Sequence, residues 1–186
     1  MIPAGYMAKS IMKRPPDWPL ASNVVDIYSV SGCLSRAFAD YINFWKHNGF
    51  WLFDSPSIIE ALARDNGIDL ASTRFFYYEV HELQYEPKLK QWLPFFPNPD
   101  FKTQVAKPED SVLEGYDIVN FYVGNAPECS PLTCNSASVD IDVNSHCLLK
   151  SFDIAKSLLE DGYCDNFEPG PYRIFAVYST RANSNH

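Results

Sequence analysis

The clearest pattern in the chain is RFFYYEVHELQY (74–85), where aromatic and β-branched residues dominate and polar ones interleave toward the end; it predicts a β-strand. NVVDIYSV (23–30), FWLF (50–53), YDIVNFYV (116–123), HCLL (146–149) and YRIFAVYS (172–179) predict further strands. WLPFF (92–96) predicts an edge strand, because Pro94 cannot donate to a central ladder. Helical spacing separates these runs. Phe38, Tyr41, Ile42 and Trp45 fall at i, i+3, i+4 and i+7 and predict a helix from Ser35 to Gly49, with Arg36, Asp40, Asn43 and His47 on its opposite face. Ser55-Pro56 opens a second helix, with Ile58, Ile59 and Leu62 inward, Glu60 and Arg64 paired at i,i+4, and Gly67 as its stop. A third covers residues 151–161 up to Gly162, and Ser130-Pro131 can open a short one through Ala137.

Two parts of this map resemble each other. WLFDSPSIIEALARDNG, from Trp51, lies without a gap over CLLKSFDIAKSLLEDG, from Cys147, so that Leu52, Ser55, Ile58 and Leu62 match Leu148, Ser151, Ile154 and Leu158. The expected fold class is therefore α+β: a mixed β-sheet with three or four helices packed against it, and an internal duplication of a strand–helix–strand unit as the reading the alignment raises. Residues 1–186 read as a single domain, with halves 24–85 and 116–179 joined by the Pro-rich segment 86–115. Residues 1–23, with Pro3, Pro15, Pro16 and Pro19, predict an extended arm on the surface, and TRANSNH at the end predicts a polar tail.

Composition narrows the function classes. A net charge of −8 with no Lys/Arg run argues against nucleic acid, which needs a basic face. No apolar stretch is long enough to span a bilayer, and the N-terminus lacks the apolar core of a secretory signal, so the expectation is a cytoplasmic protein without a membrane partner. Five cysteines, an odd count, suit free thiols better than a disulfide framework. Phosphate-loop and dinucleotide glycine spacings do not occur, and the reading invokes no cofactor.

The segment APECSPLTCNSASVDIDVNSHCLL (126–149) concentrates three of those cysteines and His146. Packing is the leading reading, since free cysteine behaves as a small buried hydrophobe and the Ser, Thr and Asn residues around it suit a tight turn. A reactive thiol is the sharper one. Cys129 would stand at the positive end of a helix opened by Ser130, and Cys33 stands similarly before Ser35. His146, His81 or His47 could serve as base, with Glu79 orienting His81 from two residues away on one strand. A Cys129–Cys134 disulfide and a zinc site are weaker alternatives. Both spacings are wide, and His146 and Cys147, adjacent in a strand, would point apart.

At CSPLTCN followed by NSHCLL, and at EPGPYRIFAVYS, the chain resembles a group of small bacterial proteins with no established activity, so the resemblance implies a bacterial origin and no functional residues. The function expected from the residues is a non-enzymatic binding or regulatory protein with a protein or small-molecule partner. Its candidate surface is acidic and carries Trp18, Trp92, Phe95, Phe96 and Phe101 from weakly periodic segments. A thiol-dependent enzyme and a zinc-stabilised domain are the alternatives.

Overall fold

The computed structural model describes residues 1–32, 48–95, 105–122 and 127–180. The chain enters it directly as a strand: β1 (Ile2–Ser10) pairs antiparallel with β4 (Thr73–Val80) along its length. Residues 2–10 of the segment 1–23, expected as a surface arm, are thus part of the sheet. Residues 4–9 are buried on both faces, so IPAGYMAKS lacks the alternation of a half-exposed strand. β2 (Met12–Lys13) and β3 (Asp26–Ile27) form a separate two-residue ladder, all that is regular in the expected strand 23–30.

β7 (Ser111–Asn120) pairs with β8 (Tyr172–Thr180), and β8 pairs with β4, giving the order β1-β4-β8-β7. β5 (Leu83–Glu86) meets β8 at Tyr85–Tyr172, and β6 (Gln91–Pro94) forms an edge beside β5, as Pro94 requires. The expected single strand 74–85 is therefore broken at His81 and Glu82.

Every ladder among the described residues is antiparallel, which corrects the expected mixed sheet. The cause lies in the path after β1. The chain returns to Tyr6, where Phe53 bridges it, before helix α1 (Pro56–Asn66) begins, and Thr73 then opens β4 opposite Ser10. α1 runs alongside β1, so β4 must come back against it; a parallel pair would need the helix to run the other way.

α1 begins with Pro56 and ends at Gly67, whose left-handed φ of 66° closes it, as its sequence predicts. α2 (Pro131–Cys134) is a single turn, shorter than expected. α3 (Phe152–Glu160) is capped by Ser151, whose hydroxyl accepts from the Ile154 N–H. Residues 35–47 of the helix expected from Ser35 to Gly49 lie outside the described residues, while Asn48 bridges Leu52 and Gly49 lies in a turn. Among the described residues no helix is long and apolar enough to cross a membrane.

FWLF and HCLL, expected as strands, lie in two turns built alike. Asn48 donates from Nδ2 to the Ala4 carbonyl and accepts at Oδ1 from the N–H groups of Phe50 and Leu52; Asn144 does the same toward Glu114, His146 and Leu148. Trp51 and Cys147 each take a left-handed φ, 57° and 58°. Phe53 then exchanges both backbone hydrogen bonds with Tyr6, and Leu149 with Tyr116. Beneath each turn the strand carries a register shift beside a glycine, Gly5 in β1 and Gly115 in β7. The registers correspond as well: Gly5 faces Tyr78 as Gly115 faces Val177, and Ser10 faces Thr73 as Asn120 faces Tyr172. α1 packs Ile59 and Ala63 into a core with Tyr6 and Phe53, and α3 packs Ala155 and Leu159 into one with Ile118 and Ile174.

Candidate functional site

The residues singled out by sequence have separate neighbourhoods. Cys129 is half-buried after β7, its N–H donating to Asn120 Oδ1 at 2.8 Å. Burial pushes its thiol up to about 12, with the Cys134 thiol, Glu168 and Glu128 adding to the shift. The four-residue α2 is too short to oppose this with an N-terminal field. Cys147 and Cys164 are buried and likewise pushed up to about 12 by burial. Cys33 and His47 lie outside the described residues.

His146 stacks on Tyr28 with ring centroids 4.0 Å apart; its Nδ1 is 2.5 Å from Asp26 Oδ1 and its Nε2 3.8 Å from Glu114 Oε2. Both ring nitrogens therefore face carboxylates. His81 packs edge-on against Trp92 and Phe152, and burial lowers its pKa. Glu79 accepts from Tyr178 at 2.7 Å and from Lys107 at 3.0 Å. Burial acts to raise its carboxyl, but the hydrogen bonds from Tyr178 and Lys107 and the Lys107 charge hold it below the ordinary range. Among the described residues no three of His, Cys, Asp and Glu are grouped to hold a metal ion.

Among the described residues three buried charges, Asp117, Lys9 and Arg173, were not foreseen. Asp117, fully buried in β7, accepts from Ser29 Oγ, the Val30 N–H and Ser130 Oγ at 2.7, 2.9 and 2.6 Å. The Lys9 charge acts on it, and Lys9 itself donates to the Ser29 and Ser31 carbonyls. Arg173, equally buried in β8, lies between the rings of Phe95 and Phe121 at 4.2 and 4.1 Å and donates to Gln84 Oε1. Burial lowers its pKa to about 10. The available signal was a charged residue within each apolar strand, YDIVNFYV and YRIFAVYS.

Beside α1 a cleft of about 940 Å³ opens between the helix, the start of β4 and residues 108–110. Its floor is apolar, from Tyr6, Ala63, Ile68, Leu70 and Phe75, and its exposed rim carries Glu60, Glu109 and Asp110 against the one guanidinium of Arg64. Arg64 is only loosely engaged, 3.7 Å from Asp65. The volume falls in the range of small-molecule sites. The lining suits recognition of a cation with an apolar body, and it contains no cysteine or histidine.

The aromatic residues expected to mark a surface do not form one among the described residues. Trp18 and Trp92 are half-buried and Phe95 is buried; Phe96 and Phe101 lie outside the described residues. Trp92 packs on Tyr85 and His81 and donates to Glu160, so it covers the sheet edge. No family model, curated protein or solved structure matches this chain.

Proposed function

We propose that the protein is a non-enzymatic binding protein of the bacterial cytoplasm whose ligand, a small organic cation with an apolar body, enters the cleft beside α1. The observation that carries this reading is the pairing of an apolar floor with a rim of three carboxylates and one guanidinium. Attraction by the rim orients the cationic group while the floor takes the apolar body from water. We also propose that the chain is a duplicated strand–turn–helix–strand unit; the recurrence of the Asn48 hydrogen bonds at Asn144 supports it.

Titrating the protein with short alkylamines and with carboxylates of equal length tests the cleft. Amines are expected to shift the NMR signals of Ala63 and Ala71, which line it, and to bind more weakly as salt rises, whereas carboxylates leave the signals in place. Equal responses to both would remove the reading. The competing reading, a thiol enzyme built on Cys129, is tested by iodoacetamide labelling read cysteine by cysteine. With its thiol pushed up to about 12, Cys129 is expected to label more than about tenfold slower in the folded protein than in urea at pH 8. Fast labelling in the folded protein would restore the enzyme.

A further inference from the structure

The second half of the sheet contains a filled counterpart of this cleft. The matched turns and registers set α3 against β7 as α1 is set against β1. Phe152 then stands where Pro56 does, Glu160 where Arg64 does and Tyr116 where Tyr6 does, while His81 follows β4 as Thr180 ends β8. Pro56, Arg64, Tyr6 and Thr180 all line the open cleft. At the α3 position the corresponding space holds an indole from within the chain. Trp92, carried by β6, lies 5.1 Å edge-on from His81, which itself lies 4.9 Å from Phe152, and its N–H donates to Glu160 Oε1 at 2.8 Å.

We propose that the cleft beside α1 takes an arylalkylamine, a flat aromatic ring carrying a cationic N–H group, seated between α1 and the sheet as the Trp92 indole is seated beside α3. Charges on the two helices explain why the open seat asks for a cation. α3 presents Lys156 and then Glu160, paired at 3.5 Å, whereas α1 presents Glu60 and then Arg64 in the reverse order. The acceptor is thereby moved one turn toward the start of α1, and Glu109 and Asp110 add two more carboxylates at the rim. A neutral indole satisfies one acceptor; an ammonium group on a short tether satisfies this rim better. The inference rests on the reading of the cleft as a cation site and adds the aromatic ring to it.

The test uses the full chain and three probes: tryptamine, 2-cyclohexylethylamine and indole-3-propionate. Tryptamine is expected to bind at one site at least about fivefold more tightly than the saturated amine, through ring packing on Tyr6 and Phe75, and the propionate is expected not to bind. Equal affinity for the two amines would overturn the aromatic seat and leave the cation site standing. No response to either amine would overturn both. Glu60→Lys, at an exposed position, gives α1 the positive charge that α3 carries in Lys156, and is expected to weaken tryptamine about tenfold. Unchanged affinity in that variant would place the amine elsewhere and sink the proposal.

Discussion

Asp117→Ala is expected to lower the stability of the protein by about 3–5 kcal/mol, read as a lower urea midpoint at pH 7. Its carboxylate gathers three donors from two separate pieces of chain, Ser29 and Val30 in the loop after β3 and Ser130 at the start of α2, onto β7. Alanine strands all three in a site without water access, and it withdraws the negative charge that acts on buried Lys9. Asp117→Asn keeps an acceptor for Val30 and a donor for a hydroxyl, so its cost should be smaller, about 1–2 kcal/mol. The pH dependence has a defined sign. Burial raises the Asp117 pKa, against the hydrogen bonds and Lys9, so the folded protein holds this proton more tightly than the unfolded chain. Its contribution is fully present below the unfolded pKa and is lost as pH rises through the folded one. The advantage of Asp117 over asparagine should therefore shrink on going from acid to neutral pH. An alanine variant within about 0.5 kcal/mol of the parent would show that the network is dispensable.

The physical reasons for what could be read ahead are local. α1 and α3 follow from Ser-Pro or Ser openings and glycine stops, and β4, β7 and β8 from runs of aromatic and β-branched residues. β1 escaped because a strand buried on both faces has no alternation, and its proline and glycine resemble a loop. The turns at 48–53 and 144–149 misled for another reason. Their apolar residues are buried, but one asparagine side chain, rather than a ladder, fixes the backbone. Apolar content reported burial correctly and conformation wrongly.

The candidate site was less legible still. Asp117 finds Ser29 from far along the chain, and the cleft joins α1 to residues that precede β7, so neither leaves a local motif. The cysteines, which did form a local cluster, owe their proximity to packing: Cys147 donates weakly to the Leu132 carbonyl inside the second core. Glu79 and His81 do share a side of the chain, yet Lys107 and Tyr178 engage the carboxylate while Trp92 and Phe152 hold the ring.

Alanine at Gly5 and alanine at Gly115 are expected to destabilise the protein by similar amounts, about 2–4 kcal/mol each. Both glycines have a backbone that L residues rarely adopt, with φ of 137° and 153°. Neither has room. A Cβ on Gly5 would come within 2.7 Å of Leu52 Cβ and the Phe53 carbonyl oxygen, and one on Gly115 within 2.8 Å of Leu148 Cβ and the Leu149 oxygen. These obstacles are backbone or its first side-chain atom, so no rotamer change clears them. Relief requires moving the Asn-clamped turn off its strand, which breaks the paired hydrogen bonds of Phe53 with Tyr6 or of Leu149 with Tyr116. Leu148, beside Gly115, packs in the same core as Leu52, beside Gly5, so the double variant reads whether that core couples the two turns: a loss within about 0.5 kcal/mol of the sum of the single effects means that each turn yields on its own. The consequences for binding should differ. Gly5→Ala displaces the turn that leads into α1, beside the open cleft, whereas Gly115→Ala displaces the turn leading into α3, where Trp92 already fills the seat. Measured where both variants remain folded, tryptamine affinity should fall in the first and hold in the second. A mild Gly115→Ala beside a severe Gly5→Ala would mean that the two turns, alike in their hydrogen bonds, do not hold their halves with the same force.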